Sequence, residues 1–575
     1  ESRAGIVAHL QEKGLVDHID ENYEHNLSVC YRCDTPVEPL PSIQWFVAVD
    51  KTIEGRKKSL KDLGREAVES RRISIVPERF EKVYIQWITN LHDWCISRQI
   101  VFGHRLPVYY CEKESGGCGE VVVSSEEPTE CPKCKNTNLR HDEDTLDTWF
   151  SSGLWTFSTL GWPENAEEHH GKIKKKGDLA TFHPTSVMET GYDILPLWVA
   201  RMVLMSEYAL HEEPFKTVYF HGLVLDENRK KMSKSNEETL IDPLDVIPEY
   251  GADALRISML VGVTPGNDLL LGKQRIASYR NFINKLWNIS RFILQFSGED
   301  EPKKYHATLA DRWILSRLAT TIERVTDHIE RFRFSHAAEE LRRFTWDELA
   351  DWYLEIAKVE KGKRDMLLMI LERLLTLWHP FTPFVTETVY QHMRKTTHPH
   401  FLSLMIHPWP SFDKKTVDEK SEGSFALIQE MIRAIRNTRA EHGIPPSQKV
   451  QAWVKTQEYQ HMINDNAETI KHLGRLDMLT ALVGEEKPDN AVFLKIAPDL
   501  DVYLPLGLKP GAEERERIEK EIVMLNARIA EISERLSNTE FLHRAPQHIV
   551  DEETKKRADY IAKAEKLEEQ LKTII

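Results

Sequence analysis

The chain has 575 residues, 41% of them hydrophobic, a mean hydropathy of -0.45 and a formal net charge of -15. Such a length exceeds one hydrophobic core, so several domains are expected, and no apolar run approaches a membrane span or follows a basic leader at the N-terminus. The acidic balance excludes a global electrostatic footprint for nucleic acid, so any polyanion site must be a local patch.

In chain order, a short helix is expected at Ala4 to Lys13, followed by Val29-Cys30-Tyr31-Arg32-Cys33. Two thiolates make half a tetrahedral metal site, and no further pair remains in the chain to complete this one. A redox pair would open a helix in a thioredoxin-like unit, and the stretch Pro36 to Pro41, with three prolines, does not read as one. Cys95, between Trp94 and Ile96, reads as core. Cys111, Cys118, Cys131 and Cys134 form C-x6-C-x12-C-x2-C around Gly116, Gly117, Gly119 and Pro132. Four thiolates converging from two turns suit a structural zinc, with Cys131-Pro132-Lys133-Cys134 as the stronger half.

Downstream, His183-Pro184-Thr185 leads into an expected strand at Val187–Thr190, and Ile194 to Met205 reads as a helix with Pro196 in its first turn. Asp193 falls at the strand-to-helix junction, where side chains face the ligand crevice of an open α/β sheet. The segment Val218 to Val224 reads as a β-branched and aromatic strand. Soon after it comes Lys231-Met232-Ser233-Lys234-Ser235. Two ammonium groups on a short loop suit the negative charge that builds on pyrophosphate when a carboxylate attacks the α-phosphorus of ATP, and Ser233 and Ser235 can donate to phosphate oxygens. By charge alone, Arg229-Lys230-Lys231 with Lys234 reads equally well as an ordinary solvated basic turn. Asp253 and Arg256, three apart on an expected helix, read as a local structural pair.

After the polar stretch Ser297 to Pro302 the pattern is helical: Trp313, Leu315, Leu318, Ile322 and Val325 recur at helical spacing, and Leu377 to Phe384 ends one helix. Arg433, Arg436 and Arg439 would share a face as a phosphate stripe. Ile518, Ile522, Leu525, Ile529, Ile532 and Leu536 make one heptad seam; Ile561, Ala564, Leu567, Leu571 and Ile574 make a second. With a turn over Asn538 to Pro546, they predict an antiparallel helical hairpin.

The text around the lysine loop resembles the class I aminoacyl-tRNA synthetases, and within them the valyl-tRNA synthetases, nearly end to end. The resemblance rests on Gln44-Trp45-Phe46, Asp93 to Gln99, Gly103-His104-Arg105, Asp147 to Ser152, Ser158 to Pro163, Thr190 to Ile194, His221 to Val224, the lysine loop, Gly251 to Arg256, and Ile432 to Arg439. It implies an α/β fold, the second half of a Rossmann-type catalytic domain, then an all-α anticodon-binding bundle and a C-terminal antiparallel coiled coil. The implied domains are 1–40, the tail of an editing domain; 41–265, the catalytic half with a cysteine insertion at 108–140; 266–304, a linker; 305–445, the anticodon-binding domain; 446–510, a small α/β region; and 511–575, a tRNA-binding arm. It further implies ATP with magnesium, L-valine and valine tRNA as substrates, catalysis by Lys231 and Lys234, ATP contacts from Ser233, Ser235, His221 and Gly222, and a valine pocket of Asp193, Trp149, Ile194 and Trp198. A cytoplasmic monomer is expected.

Two departures from the family pattern accompany this. The early His-x-Gly-His signature is absent, which leads to the expectation of a C-terminal fragment unable to form the adenylate alone. After the lysine loop, Asn236 to Leu240 is one residue longer than the family's Lys-Gly-Asn-Val and lacks its glycine. The alternatives are an isoleucyl-tRNA synthetase, whose C-terminus should not end in such a hairpin, and a non-catalytic tRNA-binding paralogue.

Overall fold

A computed structural model describes residues 2–573 apart from 25, 31–32, 39–40, 170, 233–240, 297–305, 398–401, 483–487, 489–490, 506–511 and 538–546. Its contacts divide the chain into two compact units, Glu1–Phe220 and His221–Ile575.

The first unit opens with the helix Ser2–Glu12 and is built around a three-stranded sheet. Its central strand, Phe215–His221, runs parallel to Ser74–Val76 with Thr217 opposite Ser74, and Thr185–Gly191 lies on its other side. Phe215, Val218 and Phe220 are buried with Ile75, and they pack with Val68 of the helix Leu60–Glu69, Tyr84 and Ile88 of Arg79–Thr89, and Val203 of Ala200–Ala209. The helix at Leu60 starts where it does because Ser59 and Asp62 form a reciprocal capping box, each side chain accepting the other's backbone N–H.

Two sequence expectations are corrected here. The helix predicted from Ile194 begins instead as a short 3-10 turn, Tyr192–Ile194, passes through a π-helical turn, Leu195–Val199, and becomes α-helical only over Ala200–Ala209. Pro196 stands at the first turn of the π-helical stretch, where a missing N–H breaks no helical hydrogen bond. The strand predicted over Val218 to Val224 ends at His221 and resumes as Val224–Leu225, which pairs with Leu269–Leu270. The break falls at Gly222, where a Cβ would lie 1.8 Å from the carbonyl oxygen of Asn267, so only glycine lets the two backbones approach.

In the second unit the helices Pro243–Tyr250 and Ala252–Leu260 close a small core of Val246, Ala254, Leu255, Leu269, Leu271 and Ile276. A helical bundle follows, with Leu309–Glu330, Arg364–Trp378, Pro383–Thr397 and Glu419–Glu441 among its members. Trp313, Leu318, Ile322 and Val325 are buried in its core, as the helical spacing predicts. A four-stranded sheet of Val450–Lys455, Leu476–Ala481, Ala491–Ala497 and Leu500–Pro505 packs onto the same core. The last helices are Ala512–Ser537 and Gln547–Thr573. Arg535 pairs with Glu553, Arg528 lies over Tyr560 and Lys563 pairs with Glu521, so partners advance in one helix as they recede in the other. That is the antiparallel hairpin the heptads predict, with Ile518, Ile522, Leu525, Ile532 and Ala564 buried in its seam. Its expected turn, and Ile574, lie outside the described residues.

Asp253 and Arg256 do not pair with each other. The Asp253 carboxylate accepts the backbone N–H groups of Phe384 (3.3 Å) and Val385 (2.7 Å), at the start of the helix Pro383–Thr397. Arg256 donates to the carbonyls of Pro380 (3.1 Å) and Phe381 (3.3 Å), just past the end of Arg364–Trp378. Open N–H groups attract the anion and open carbonyls the cation more strongly than two side chains three apart on one helix attract each other. Burial raises the Asp253 carboxyl above its ordinary range, against the two N–H donors that favour its charge. Asp253→Ala should therefore cost about 1–2 kcal/mol, as for a lost helix cap, whereas Asp253→Asn, which keeps an acceptor and removes a buried charge, should cost less; urea unfolding of both variants measures the difference.

Candidate functional site

The lysine loop is delivered by a tight turn. The buried Asp226 accepts the N–H groups of Asn228 (2.9 Å) and Lys230 (2.8 Å) on Oδ1, and its own N–H donates to the Lys230 carbonyl (2.9 Å). Arg229 takes a positive φ of 63° to complete the reversal, and Lys231 then bridges back to Leu225. Met232 packs against the small core carried by the helices after it, which anchors the loop's first half. Lys231 is exposed, while Ser233, Lys234 and Ser235 lie outside the described residues, as does Asn236 to Leu240. His221, the last residue of its strand, is exposed and its Nδ1 lies 2.7 Å from the Gly222 carbonyl.

The residues assigned to the amino-acid pocket fall in the first unit. Asp193 is exposed immediately after the strand Thr185–Gly191, in the 3-10 turn that also carries Ile194. Trp198 lies one turn on, half-buried, with its indole N–H donating to the Ser152 carbonyl at 3.0 Å. Ser152 belongs to the helix Thr148–Gly153, whose second residue is Trp149. Gly153 brings that helix against Ala200–Ala209, since a Cβ there would lie 3.2 Å from Met205 Cγ. One hydrogen bond thus ties Trp198 to the helix that bears Trp149.

Sequence reasoning passed over the group that fixes this arrangement. Asp147, buried, caps the Trp149 helix by accepting the Trp149 N–H (3.2 Å), and its other oxygen accepts the Trp94 indole N–H (3.0 Å) and Arg98 Nη2 (2.8 Å). An aspartate directly before a helix-forming run was the available signal. Beside it, the Arg201 guanidinium lies 3.9 Å from the Trp94 ring centroid; burial lowers its pKa to about 10, against the charge of Asp147, and it stays cationic at neutral pH.

The cysteines meet as their spacing predicts. One ligand atom from each of Cys111, Cys118, Cys131 and Cys134 lies within 4.8 Å of the others; Cys111 and Cys134 sulfurs are 3.5 Å apart, Cys118 and Cys131 sulfurs 3.8 Å. Zinc–sulfur bonds of about 2.3 Å in a tetrahedron set sulfur separations of about 3.8 Å, so the donor set fits that metal. The wide first spacing is taken up by a 3-10 turn, Lys113–Ser115, closed by Gly116 at φ 80°, and Gly117 then passes so near that a Cβ would lie 2.5 Å from Cys111 Sγ. The Cys134 N–H, then that of Lys133, favours the Cys131 thiolate over burial and lowers its pKa to about 7. The Glu120 N–H favours the Cys118 thiolate too, but burial and the neighbouring thiols outweigh it and push that group up to about 11. Cys30 and Cys33 stand apart from this cluster, Cys33 donating to Thr35 Oγ1 at 3.3 Å. Cys95 is half-buried, 3.6 Å from Gln44 Oε1.

The arginine stripe is corrected. Arg439 is buried and spends its guanidinium on the carbonyls of Arg475 (2.7 Å), Gln448 (2.6 Å) and Pro445 (3.1 Å), so it braces a loop and faces no ligand. A three-residue step rotates a helix by less than a full turn, so the third arginine drifts inward. Arg433 and Arg436 remain exposed.

Comparison with known proteins agrees with the order of these parts. A family model described as tRNA synthetases class I (I, L, M and V) matches residues 16–271, one for the anticodon-binding domain of tRNA ligase matches 311–454, and one for the valyl tRNA synthetase tRNA binding arm matches 512–575. The valine–tRNA ligase of Dehalococcoides mccartyi strain 195 is 40% identical over 98% of this chain, and that of Carboxydothermus hydrogenoformans is 40% identical over 99%. By these matches the chain is similar to the class I tRNA synthetases, and its last segment to the valyl group among them. The chain spans 63% of the length of each of those two relatives. Among solved structures, the Mycobacterium tuberculosis methionyl-tRNA synthetase bound by methionyl-adenylate is 16% identical with a TM-score of 0.46, over 67% of this chain and 72% of that one, too slight a likeness to argue from. Among the described residues, no helix is long and apolar enough to cross a membrane.

Proposed function

We propose that this chain carries the lysine-loop half of the catalytic site, the anticodon-binding bundle and the tRNA arm of a valine–tRNA ligase, which activates L-valine with ATP and magnesium as valyl-adenylate and passes the acyl group to valine tRNA. The observation that carries this is 40% identity to valine–tRNA ligases along 98% of the chain, including a match to the valyl arm at 512–575. The domain limits read from the sequence, including the editing tail at 1–40, belong to the same proposal, as do a cytoplasmic location and a monomeric state.

In the reaction, the valine carboxylate attacks the α-phosphorus and negative charge develops on the leaving pyrophosphate. Lys231 and Lys234 meet that charge, which lowers the barrier because the interaction strengthens as the bond breaks. Ser233 and Ser235 donate to phosphate oxygens; His221 and Gly222, at the carboxyl end of the strand, contact the adenosine. Asp193 holds the ammonium group, and Trp149, Ile194 and Trp198 wall the side chain. Such a wall rejects isoleucine by size but separates threonine poorly, because the two branched side chains have nearly the same shape. Cys111, Cys118, Cys131 and Cys134 would hold zinc, which braces the insertion and takes no part in the chemistry.

The test is valine-dependent exchange of pyrophosphate into ATP by the longest natural polypeptide that carries this sequence. Lys234→Ala should reduce the exchange rate by about 10²–10³-fold, as for loss of one preorganised electrostatic donor. Asp193→Asn should raise the KM for valine. Exchange with isoleucine in preference to valine would move the assignment to the isoleucyl enzymes, and no exchange with any amino acid while tRNA still binds would favour a non-catalytic tRNA-binding protein.

A further inference from the structure

Where the arginine stripe fails, the fold supplies a different cationic cluster. Arg433 and Arg436, both exposed on the helix Glu419–Glu441, lie over the same indole, their Cζ atoms 5.3 Å and 5.5 Å from the centroid of the buried Trp352 ring. Arg436 Nε donates to the Leu473 carbonyl at 2.8 Å, which brings it against the end of the helix Ala467–Gly474. The next residue but one is Arg475, exposed, which caps that helix in the left-handed region at φ 55° and whose carbonyl accepts from Arg439. Helices commonly end on glycine in that conformation, so an arginine here sets a long cation where an easier residue would leave none.

None of Arg433, Arg436 and Arg475 forms an ion pair among the described residues. The two nearest acids that Arg436 feels, Asp351 and Glu355, are engaged by Lys285 (3.4 Å) and Lys358 (2.6 Å). On a chain of net charge -15, two exposed guanidiniums over one indole, with the exposed Arg475 near enough for Arg436 to feel its charge and the acids beside Arg436 already paired, form the local patch that a polyanion requires. Guanidinium forks suit phosphate oxygens, and Trp352 holds two of them at fixed heights before any ligand arrives.

We infer that Arg433, Arg436 and Arg475 form a docking site for backbone phosphates of the bound tRNA. The site spans the bundle and the small sheet region that follows it, so the sheet region takes part in holding RNA and does not serve only as a spacer. This rests on the tRNA reading above, with a test that separates the two. The equilibrium constant for a valine tRNA transcript binding the full chain is measured across about 50–200 mM salt, and the slope of log K against log salt is compared between variants. Arg433→Gln with Arg475→Asn, the asparagine chosen because it tolerates positive φ, should weaken binding and make the slope shallower by about two, roughly one per phosphate contact. Arg433→Lys with Arg475→Lys keeps both charges and should retain the parental slope. If the parental chain binds and the neutral double variant shows the same slope and affinity, the site is overturned while the tRNA reading stands. If the parental chain binds no tRNA, the tRNA reading falls and the site with it.

Discussion

Serine in place of Cys131 is expected to abolish zinc retention by this chain and to unfold the cysteine insertion locally. The insertion has little core of its own: a three-stranded sheet of Val108–Tyr110, Val121–Val123 and Arg140–His141, with Val108, Tyr109 and Val122 as its buried apolar strand residues. For so small a unit the metal's binding free energy, about 10–16 kcal/mol for structural zinc near neutral pH, is in effect the folding free energy. Metal content after gel filtration should fall from one zinc to none in Cys131→Ser, and limited proteolysis should open between Cys111 and Cys134. Cys30→Ser should change neither, because that pair lies outside the cluster. One zinc retained by Cys131→Ser, or parental resistance to protease after chelation, would rule out a structural metal here.

The pH dependence of that metal follows from the thiols. Zinc takes thiolates, so every group still protonated at the working pH must release its proton on binding. Cys111 and Cys118 sit above the ordinary thiol value and each releases one at pH near 8; Cys131, at about 7, joins them as the pH falls. Affinity should therefore weaken as pH drops and weaken more steeply below about 7, the same direction at every step because protons and metal compete for the same sulfurs.

What could be read from the sequence depended on how local the physics was. The four cysteines, the first heptad seam and the buried set from Trp313 to Val325 are repeating or closely spaced, and spacing alone carries them into the structure, whereas Ile561 of the second seam is exposed. The strand Thr185–Gly191 and the turn bearing Asp193 are likewise signalled by neighbours in sequence. The misses are contacts across long separations. Arg256 and Asp253 look paired until the open helix ends at Pro380 to Val385 arrive from over a hundred residues away. Arg439 looks exposed until the Pro445 to Gln448 loop and Arg475 close over it. The break at Gly222 needs the Asn267 backbone to explain it. Asp147 has a local signal as a cap, but its second role, holding Trp94 and Arg98, depends on a fold the sequence does not spell out.

Lys363→Met should cost the second unit about 3–5 kcal/mol, the range for removing one partner from a buried ion pair. Lys363 has no exposed surface, and its Nζ donates to both oxygens of the equally buried Asp311, at 2.6 and 2.7 Å, to Thr308 Oγ1 at 3.0 Å, and pairs with Glu360 Oε2 at 2.6 Å. Methionine fills the space of the lysine stem, so the loss isolates the charge: Asp311 would keep the Tyr353 hydroxyl at 2.6 Å but lose its cation in a site without water access. The damage should extend past the pair. Asp311 and Thr308 also form the capping box of the helix Leu309–Glu330, and Glu360 accepts the Thr469 hydroxyl (3.0 Å) from the helix Ala467–Gly474, so one ammonium group joins the bundle to the small sheet region. Urea unfolding followed by tryptophan emission, to which the buried Trp313 two residues from Asp311 contributes, would show the loss as a lower midpoint. Adding Asp311→Asn to Lys363→Met removes the orphaned carboxylate and should recover part of the stability; a double variant no more stable than Lys363→Met would mean that the lysine acts through its packing and not through its charge.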